Sequence, residues 1–305
     1  MKPIRSLDQL AEHVQSSCTK KKIAVAAAED SNTFDAIVKA TENGIVEAVM
    51  LGSTERIRQL CEEKSFDPAK FTIINIPDEL KATQEAVRMV KAGEADILMK
   101  GLVGTDKFLK AVLDKSAGLL PAKQIMSYVC ALEIPAYHKL LFISDTAVLP
   151  FPDLNQKIAM TNFSIKMAKR FGIEKPKVAL IGASEKVSLT FPNSIDYAMI
   201  SKMSQRHQLE EAIIDGPLDV FLACDKESVE IKGVKTAIDG DADILIFPNI
   251  EVSNAFYKGL MLFAGAELGG LIQGTEKPVV VMSRSESPKS KYYCIALACL
   301  MAEER

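Results

Sequence analysis

The fold of this chain is decided by one stretch, Pro278-Val279-Val280-Val281-Met282-Ser283-Arg284-Ser285-Glu286-Ser287-Pro288. Residues 279–282 have no polar interruption, which is typical of a strand buried on both faces of a sheet. Ser287 and Pro288 then supply the N-cap and first position of a helix. In open α/β sheets, ligands bind at the carboxyl ends of strands, where helix N-termini favour anions. The stretch therefore predicts either an anion site at Arg284, whose guanidinium suits phosphate or carboxylate, or a loop in which Arg284 pairs with Glu286.

Composition excludes several functional classes. The chain has 305 residues, which favours two domains over one. A formal net charge of −3, without any basic run, argues against nucleic acid as a partner. No apolar stretch approaches the roughly 20 residues needed to cross a bilayer, and the first residues lack the apolar core of a signal peptide. The six cysteines form no C-x-x-C pair, so we expect reduced thiols in a soluble, cytoplasmic protein that has no membrane partner.

Strand and helix patterns alternate along the chain. Apolar runs at residues 23–28, 46–51, 71–76 and 97–99 are each followed by a helical pattern, which is the signature of a parallel sheet made of βαβ units. Pro150 and Pro152 mark residues 145–153 as the best candidate for a crossing between domains. Later segments predict, in order, short strands at 212–215 and 220–223, a helix from about 253 to 268, the strand at 279–282 and a helix at 289–302.

Polar residues follow four of the predicted strands, and these places are the candidate sites. In Lys100-Gly101-Leu102-Val103-Gly104-Thr105 the glycines permit close backbone approach, and the lysine and threonine could hold phosphate oxygens. The lysine precedes the glycines, so this is not a P-loop, and a structural turn with a solvated lysine is equally compatible. The other places are Ser144-Asp145-Thr146, residues 249–258 and Ser283-Arg284. A metal site at Asp239, Asp241 and Asp243 is also conceivable, although a solvated turn is the favoured interpretation.

A segment in the last quarter of the chain carries a resemblance to a known family. It contains Ile246-Phe247-Pro248-Asn249, then Asn254, Tyr257 and Lys258, and is similar to the Phe-Pro-Asp, Asn and Tyr-Lys segment of the phosphate acetyl/butyryltransferase family. The family's order continues with Ala264-Gly265-Ala266-Glu267, Gly274, Lys277-Pro278 and Ser283-Arg284. Upstream, the family's Asp-x-Ala-Val-Asn-Pro turn resembles Asp145-Thr146-Ala147-Val148-Leu149-Pro150, where leucine replaces asparagine. The length and Lys100-Gly101-Leu102-Val103 look closer to the butyryl branch than to the acetyl branch.

The resemblance implies a reaction and a fold. Members transfer an acyl group reversibly between coenzyme A (CoA) and inorganic phosphate, and we expect a butyryl-like group to be preferred over acetyl. CoA is then a substrate, no cofactor is needed, and the assembly is a homodimer. The implied fold is a two-domain, parallel-rich α/β sandwich of the isocitrate/isopropylmalate dehydrogenase-like type with an interdomain cleft. By this analogy the first domain comprises residues 1–146 and 279–305, and the second comprises residues 147–278.

Roles for individual residues follow from the resemblance together with the motifs. Ser283, Arg284 and Glu286 are the expected catalytic residues, and Arg284 would bind phosphate with Lys100 and Thr105. The CoA or acyl substrate would be bound by four further residues, Asn254, Lys258, Ser144 and Asp145. No metal ligand is expected.

One position departs from the family's pattern and leaves alternatives open. In the acetyl-transferring branch an aspartate beyond the arginine is thought to act as base, and here that position is Ser290. Glu286 is the nearest carboxylate to Arg284, so we predict that Glu286, not Ser290, assists the CoA thiol, unless Glu286 simply pairs with Arg284 or a lysine. The alternatives to the acyltransferase are a metal- and nicotinamide-dependent hydroxyacid dehydrogenase of the same fold, whose ligands would be the three aspartates above, and a non-catalytic ligand-binding homologue.

Overall fold

Strands and helices alternate along the chain in the computed structural model, which describes residues 2–283 and 286–303. The chain forms a first unit, Leu7–Met126 with Leu268–Arg305, and a second unit, Met1–Ser6 with Ser127–Glu267. Each unit combines helices with mostly parallel strands, so the predicted α/β class is confirmed. Within the described ranges, no helix combines the length and apolarity that a membrane span requires.

The described elements have the following bounds. The strands are β1 (Lys21–Ala26), β2 (Val46–Gly52), β3 (Thr72–Asn75), β4 (Ile97–Lys100), β5 (Ser127–Glu133), β6 (Leu141–Ser144), β7 (Lys177–Ile181), β8 (Ile213–Leu218), β9 (Ile244–Ile246), β10 (Glu267–Gln273) and β11 (Val279–Val280). The helices are α1 (Leu7–Ser17), α2 (Ser31–Glu42), α3 (Thr54–Glu63), α4 (Glu79–Lys91), α5 (Thr105–Val112), α6 (Leu154–Arg170), α7 (Pro192–Gln205), α8 (Val220–Cys224), α9 (Lys226–Lys232), α10 (Ile250–Ala264) and α11 (Pro288–Ala302). A short 3-10 turn covers Pro68–Lys70.

In the first unit the strands lie in the order β3-β2-β1-β4-β11-β10. β11 pairs in parallel with β4, with Val279 opposite Leu98, and antiparallel with β10. The predicted strand at 279–282 is confirmed for its first two residues, and Val281 and Met282 follow the assigned strand as buried residues. Because β1, β4 and β11 are parallel neighbours, their carboxyl ends meet at one edge of the sheet.

Helix α11 begins as the sequence predicts. Ser287 is its N-cap and accepts a hydrogen bond from the Ser290 N–H at 3.0 Å, with Pro288 in the first turn. The helix is buried from Ser290 to Leu300 and packs against α2 and α1. Burial on all sides is expected because apolar residues occur on every face of the helix. Its N-terminus therefore lies at the same sheet edge as the end of β4.

In the second unit the strands lie in the order β5-β6-β9-β7-β8. β5 is antiparallel to β6, and the remaining pairs are parallel. Helix α6 follows β6 through the proline-containing segment and begins with a capping box, in which Asp153 and Gln156 each accept the other's backbone N–H. The connection from β6 to α6 therefore has the same order of parts as the connection from β11 to α11: a buried strand, a polar turn and a capped helix.

Three sequence predictions need correction. Residues 220–223 form helix α8 rather than a strand, because the Asp219 side chain caps the segment by accepting the Leu222 N–H at 2.9 Å. The helix predicted to reach residue 268 ends at Ala264, where Gly265 has a positive φ of 65°. Strand β10, which follows, was not predicted, since its two consecutive glycines disfavour a strand. A Cβ on Gly269 would lie 3.3 Å from the Tyr293 carbonyl oxygen on α11, so the glycine permits this close approach.

The observed units also differ from the predicted domain boundaries at 146 and 278. β5 pairs with β6, and β6 pairs with β9, so residues 127–146 belong with the second unit. β10 pairs with β11, so residues 268–278 belong with the first. The N-terminal segment joins the second unit, where the Ile4 N–H donates to the Phe171 carbonyl at 2.8 Å. Strand pairing over long sequence distances defines these two units, whereas the predicted boundaries followed the family analogy, and Pro150 and Pro152 mark only a turn.

Candidate functional site

At the carboxyl-end edge of the first unit's sheet, Lys100 ends β4. The residue is only 5% exposed, and its ammonium donates to the carbonyl oxygens of Gly101 at 3.2 Å and Val103 at 3.1 Å. The solvated lysine considered from sequence is therefore wrong, since the ammonium lies inside its own turn. A Cβ on Gly101 would lie 2.2 Å from the Ala27 carbonyl oxygen, so this position requires glycine for the ends of β1 and β4 to approach. Thr105 is exposed at the first position of α5.

The next strand at this edge, β11, leads to Ser283 and Glu286. The Ser283 N–H donates to Glu286 Oε2 at 2.8 Å, and the Glu286 N–H donates to the Ser283 carbonyl at 3.2 Å. These two bonds close a turn immediately before α11. Ser283 is exposed and Glu286 is half-buried. Arg284, the predicted phosphate ligand, lies outside the described residues.

Ser290, the other residue considered as a base, lies in the core. It is fully buried, and its hydroxyl accepts the Leu268 N–H at 3.4 Å. The hydroxyl thus joins α11 to the start of the β10 segment. Glu286, by contrast, precedes the helix and is partly accessible.

A buried ion pair that the sequence analysis missed lies beside this turn. Lys291 on α11 is 3% exposed at its side chain, and its ammonium lies 2.9 Å from Asp30 Oδ2 and 3.3 Å from Thr33 Oγ1. Asp30 is also the N-cap of α2 and accepts the Thr33 N–H at 2.8 Å. Burial by itself would raise the pKa of Asp30, but hydrogen bonds from Thr33 and Lys291 outweigh burial and hold that pKa below its usual value. The sequence signal that could have revealed this pair was Lys291, a charged residue near the N-terminus of a largely apolar helix.

Glu29 adds a second carboxylate that the sequence analysis did not single out. Its Oε1 accepts the Ser53 N–H at 2.6 Å, at the start of α3. A Cβ on Gly52 would lie 2.5 Å from the same carboxylate oxygen, so the carboxylate sits over the end of β2. The edge therefore carries Glu29, Asp30, Lys100 and the Ser283–Glu286 turn on successive strands.

In the second unit, the predicted residues Ser144 and Asp145 lie at the carboxyl end of β6. Asp145 is 1% exposed, and the peptide bond that joins it to Ser144 is cis. Its carboxylate accepts four hydrogen bonds at 2.8–2.9 Å, from the Ser127 hydroxyl and from the backbone N–H groups of Tyr128, Ala147 and Val148. Burial raises the pKa of Asp145 against the opposing effect of these four bonds. This carboxylate holds β5, β6 and the following turn together.

Helix α10 brings Asn254 to the same turn. The Asn254 amide donates to the Thr146 carbonyl at 3.0 Å, and the neighbouring Ser253 hydroxyl donates to the Asp145 carbonyl. Three of the residues predicted to bind substrate, Ser144, Asp145 and Asn254, thus lie together at one turn, and their role in binding stays a prediction. Lys258 lies one turn further along α10 and is exposed, with its ammonium 6.0 Å from the Tyr257 ring centroid.

The acidic segment considered for a metal is engaged by lysines. Lys139 lies 2.7 Å from an Asp243 carboxylate oxygen and 3.0 Å from one of Asp241, and Lys177 lies 3.3 Å from Asp241. Lys177 begins β7, and Asp243 directly precedes β9, so these pairs lie at the amino ends of the strands. Asp239 adopts a positive φ of 55° in the turn before them. Within residues 2–283 and 286–303, no group of three or more His, Cys, Asp or Glu residues could hold a metal ion.

Comparison with known proteins extends these observations to the whole chain. The family model described as "Phosphate acetyl/butaryl transferase" matches residues 6–88 and 79–299. The phosphate butyryltransferase of Clostridium beijerinckii is 39% identical over 298 residues, which is 98% of each chain. The phosphate acetyltransferase of Thermotoga maritima is 39% identical over 282 residues, covering 92% of this chain and 95% of that relative.

A solved structure agrees with these sequence relationships. The branched-chain phosphotransacylase of Enterococcus faecalis V583 is 30% identical and superimposes with a TM-score of 0.83, covering 93% of this chain and all of that chain. The family match spans both halves of the split first unit and the second unit between them. On these grounds the chain belongs to the phosphate acetyl/butyryltransferase family.

Proposed function

We propose that this protein is an acyltransferase that moves a short-chain acyl group reversibly between CoA and inorganic phosphate. The products of the forward reaction are an acyl phosphate and free CoA. The observation that carries the proposal is the match over 98% of both chains to a phosphate butyryltransferase. The preference for a butyryl-like over an acetyl substrate is part of the proposal and rests on the chain length and on Lys100-Gly101-Leu102-Val103. A homodimer and the isocitrate/isopropylmalate dehydrogenase-like fold with its interdomain cleft are part of the same proposal and rest on the family resemblance.

Phosphate binding is assigned to the carboxyl-end edge of the first unit. Helix α11 follows β11, and Lys100 ends the neighbouring strand β4. The helix N-terminus and the buried Lys100 ammonium both favour an anion. Arg284 would add a planar fork that matches two phosphate oxygens, and Thr105 would donate its hydroxyl. The Lys100 ammonium already donates to two carbonyl oxygens, so it is positioned without needing a ligand to order it.

Substrate binding in the second unit is assigned to the β6 turn and α10. Asn254 and Ser144 lie beside the turn, and the exposed Lys258 ammonium suits a negatively charged part of CoA. Asp145 contributes indirectly to this surface. Its carboxylate is already used by four donors, so its part is to fix the turn that presents Thr146 to Asn254.

In the proposed reaction the acyl group passes directly between the two substrates, and no covalent bond to the protein forms. A phosphate oxygen attacks the thioester carbonyl carbon, the carbon–sulfur bond breaks, and the sulfur leaves as the CoA thiolate. Orientation of the two substrates and cationic stabilisation of the developing negative charge supply most of the rate. Ser283 would lie at the reacting carbonyl or thiol. In the reverse direction the thiol must lose a proton, and the half-buried Glu286 carboxylate would accept it as sulfur attacks the acyl phosphate. No metal or other cofactor is required.

The proposal is tested by incubating the enzyme with butyryl-CoA and phosphate in the presence of a chelator and following free thiol. We expect thiol release that depends on phosphate, and a slower reaction with acetyl-CoA. Reduction of a nicotinamide by a hydroxyacid and a divalent metal, without thiol release, would instead support the dehydrogenase. Binding of CoA or phosphate without either reaction would support the non-catalytic homologue.

The role of Arg284 is tested by Arg284→Lys, which keeps the charge and removes the planar fork. We expect the KM for phosphate to rise much more than the KM for butyryl-CoA. An unchanged KM for phosphate in this variant would remove Arg284 from the phosphate site.

A further inference from the structure

Lys291 occupies a position that stability by itself does not favour. It is the fourth residue of α11, counted from Pro288, and its side chain is 3% exposed. A positive charge near a helix N-terminus opposes the helix dipole, and burial of an ammonium costs several kcal/mol by order of magnitude. An apolar side chain of similar length would avoid both costs. The lysine therefore calls for a reason other than packing.

Lys291 contacts residues at the N-termini of two helices, α2 and α11. Its ammonium reaches Asp30, which caps α2 through the Thr33 N–H, and it also reaches the Thr33 hydroxyl. On its own helix, the Lys291 N–H donates to the Ser287 carbonyl at 3.1 Å, and Ser287 is the N-cap of α11. The ion pair thus ties the first turn of α11 to the first turn of α2.

The turn that this connection holds is the one assigned to the reaction. Glu286 immediately precedes the N-cap and is bonded twice to Ser283, so we expect Ser283 and Glu286 to move with the start of α11. On the other side, Asp30 follows β1, whose end is in contact with Gly101 beside Lys100. A shift of the α11 start relative to α2 would therefore change the distance between this turn and Lys100.

We propose that Asp30 and Lys291 are positioning residues for phosphate, because their ion pair fixes the Ser287 cap of α11, and with it Ser283 and Glu286, against the β1 and β4 ends of the first unit. The inference rests on the proposed function for the identity of the ligand. Neither side chain needs to touch phosphate, since the Lys291 charge is already neutralised by Asp30.

A matched control exists in the second unit. Lys157 is the fourth residue of α6, its side chain is also 3% exposed, and its ammonium lies 2.6 Å from Asp196 and 2.6 Å from Asn193. The burial of the lysine side chain, its helix position and its aspartate partner therefore match those of Lys291, although the second partner is Asn193 rather than Thr33. The helix and the unit are different.

The experiment compares Lys291→Met, Asp30→Asn and Lys157→Met in the full chain. Asparagine is also a good N-cap, so Asp30→Asn removes the ion pair while keeping the cap of α2. We expect both variants of the Asp30–Lys291 pair to raise the KM for phosphate at least about fivefold, with the KM for butyryl-CoA changed less than about twofold. Lys157→Met should lower Tm comparably without this selective effect on phosphate. Lys291→Arg should recover most of the phosphate KM.

Two results would overturn the inference. One is a change in phosphate KM in Lys291→Met and Asp30→Asn that is no larger than in Lys157→Met. The other is an equal rise in both KM values, which indicates general loosening of the fold. If the wild type releases no thiol, the proposed function fails separately. Calorimetric titration with inorganic phosphate then decides the inference, with weaker binding expected only in the two variants of the Asp30–Lys291 pair. If Lys291→Met does not fold, Asp30→Asn and Lys291→Arg still decide it.

Discussion

The connection from β6 to α6 in the second unit and the connection from β11 to α11 in the first unit have the same parts. Each follows a buried strand, contains a turn held by a carboxylate, and enters a capped helix whose fourth residue is a buried lysine paired with an aspartate. The carboxylates, however, have different environments. Asp145 is almost completely buried and accepts four hydrogen bonds, whereas Glu286 is half-buried and closes a turn whose first residue is exposed.

This difference separates a structural carboxylate from one that can do chemistry. A buried carboxylate whose acceptor positions are filled by protein donors is not available for proton transfer, and its loss leaves buried donors unsatisfied. A carboxylate on an accessible turn beside a helix start can exchange a proton with a substrate. The predictions below test whether Asp145 has a structural role and Glu286 a catalytic one.

The largest effect is expected for Asp145→Ala. Removing the carboxylate leaves the buried Ser127 hydroxyl and Tyr128 N–H, and the partly buried N–H groups of Ala147 and Val148, without their acceptor. This should lower the free energy of unfolding by about 2–5 kcal/mol. Urea denaturation measures the loss. The matched control is Asp114→Ala, because Asp114 also accepts from two turn N–H groups and a hydroxyl but is exposed. Its loss should be clearly smaller, and equal losses would contradict the importance of burial.

Glu286→Gln should affect catalysis rather than folding. If Glu286 is the base, kcat from acyl phosphate and CoA should fall at least about tenfold near neutral pH. The loss should shrink toward about pH 9, where the CoA thiol ionises without help. The measurement is kcat across this pH range, with Tm as the control for folding. A rise in phosphate KM with a normal pH profile would show that Glu286 serves binding instead.

The Asp30–Lys291 pair should appear in the acid dependence of stability. The pKa of folded Asp30 lies below its usual value, so its contribution to stability is present above the unfolded pKa, near 3.8, and is lost as pH falls through the folded pKa. Asp30→Asn should therefore flatten the fall in unfolding free energy below about pH 4. Urea unfolding of both proteins at a series of acidic pH values checks this, and identical slopes would contradict it.

The smallest effect is expected for Ser290→Ala. The Ser290 hydroxyl accepts the Leu268 N–H at 3.4 Å, so its removal should cost about 1 kcal/mol of stability and leave kcat nearly unchanged. Measured beside Glu286→Gln, this variant sharpens the assignment of the base. A severe loss of kcat in Ser290→Ala, with Glu286→Gln near normal, would reverse that assignment.

Several features of the protein follow from local sequence because they depend on neighbouring residues alone. The α/β class follows from the alternation of apolar runs and helical patterns, and the start of α11 follows from Ser287 and Pro288. The family motifs follow from residue order and agree with the full-length match. For the candidate site, local sequence singled out Ser144, Asp145, Asn254 and Lys100, because each belongs to a polar stretch that follows a predicted strand. The roles of those residues stay predictions.

Other features were decided by contacts between residues that are distant in the chain. An apolar run such as residues 220–223 satisfies a strand or a helix equally, and only the Asp219 cap and the surrounding elements select the helix. β10 forms because Ile272 pairs with Val279 of β11 and because Gly269 lets the strand approach α11 closely. Lys291 lies 261 positions from Asp30, and the burial of Asp145 depends on donors from β5. Local patterns set which elements can form, whereas burial and the pairing of charges depend on which elements meet, and only the tertiary structure determines that.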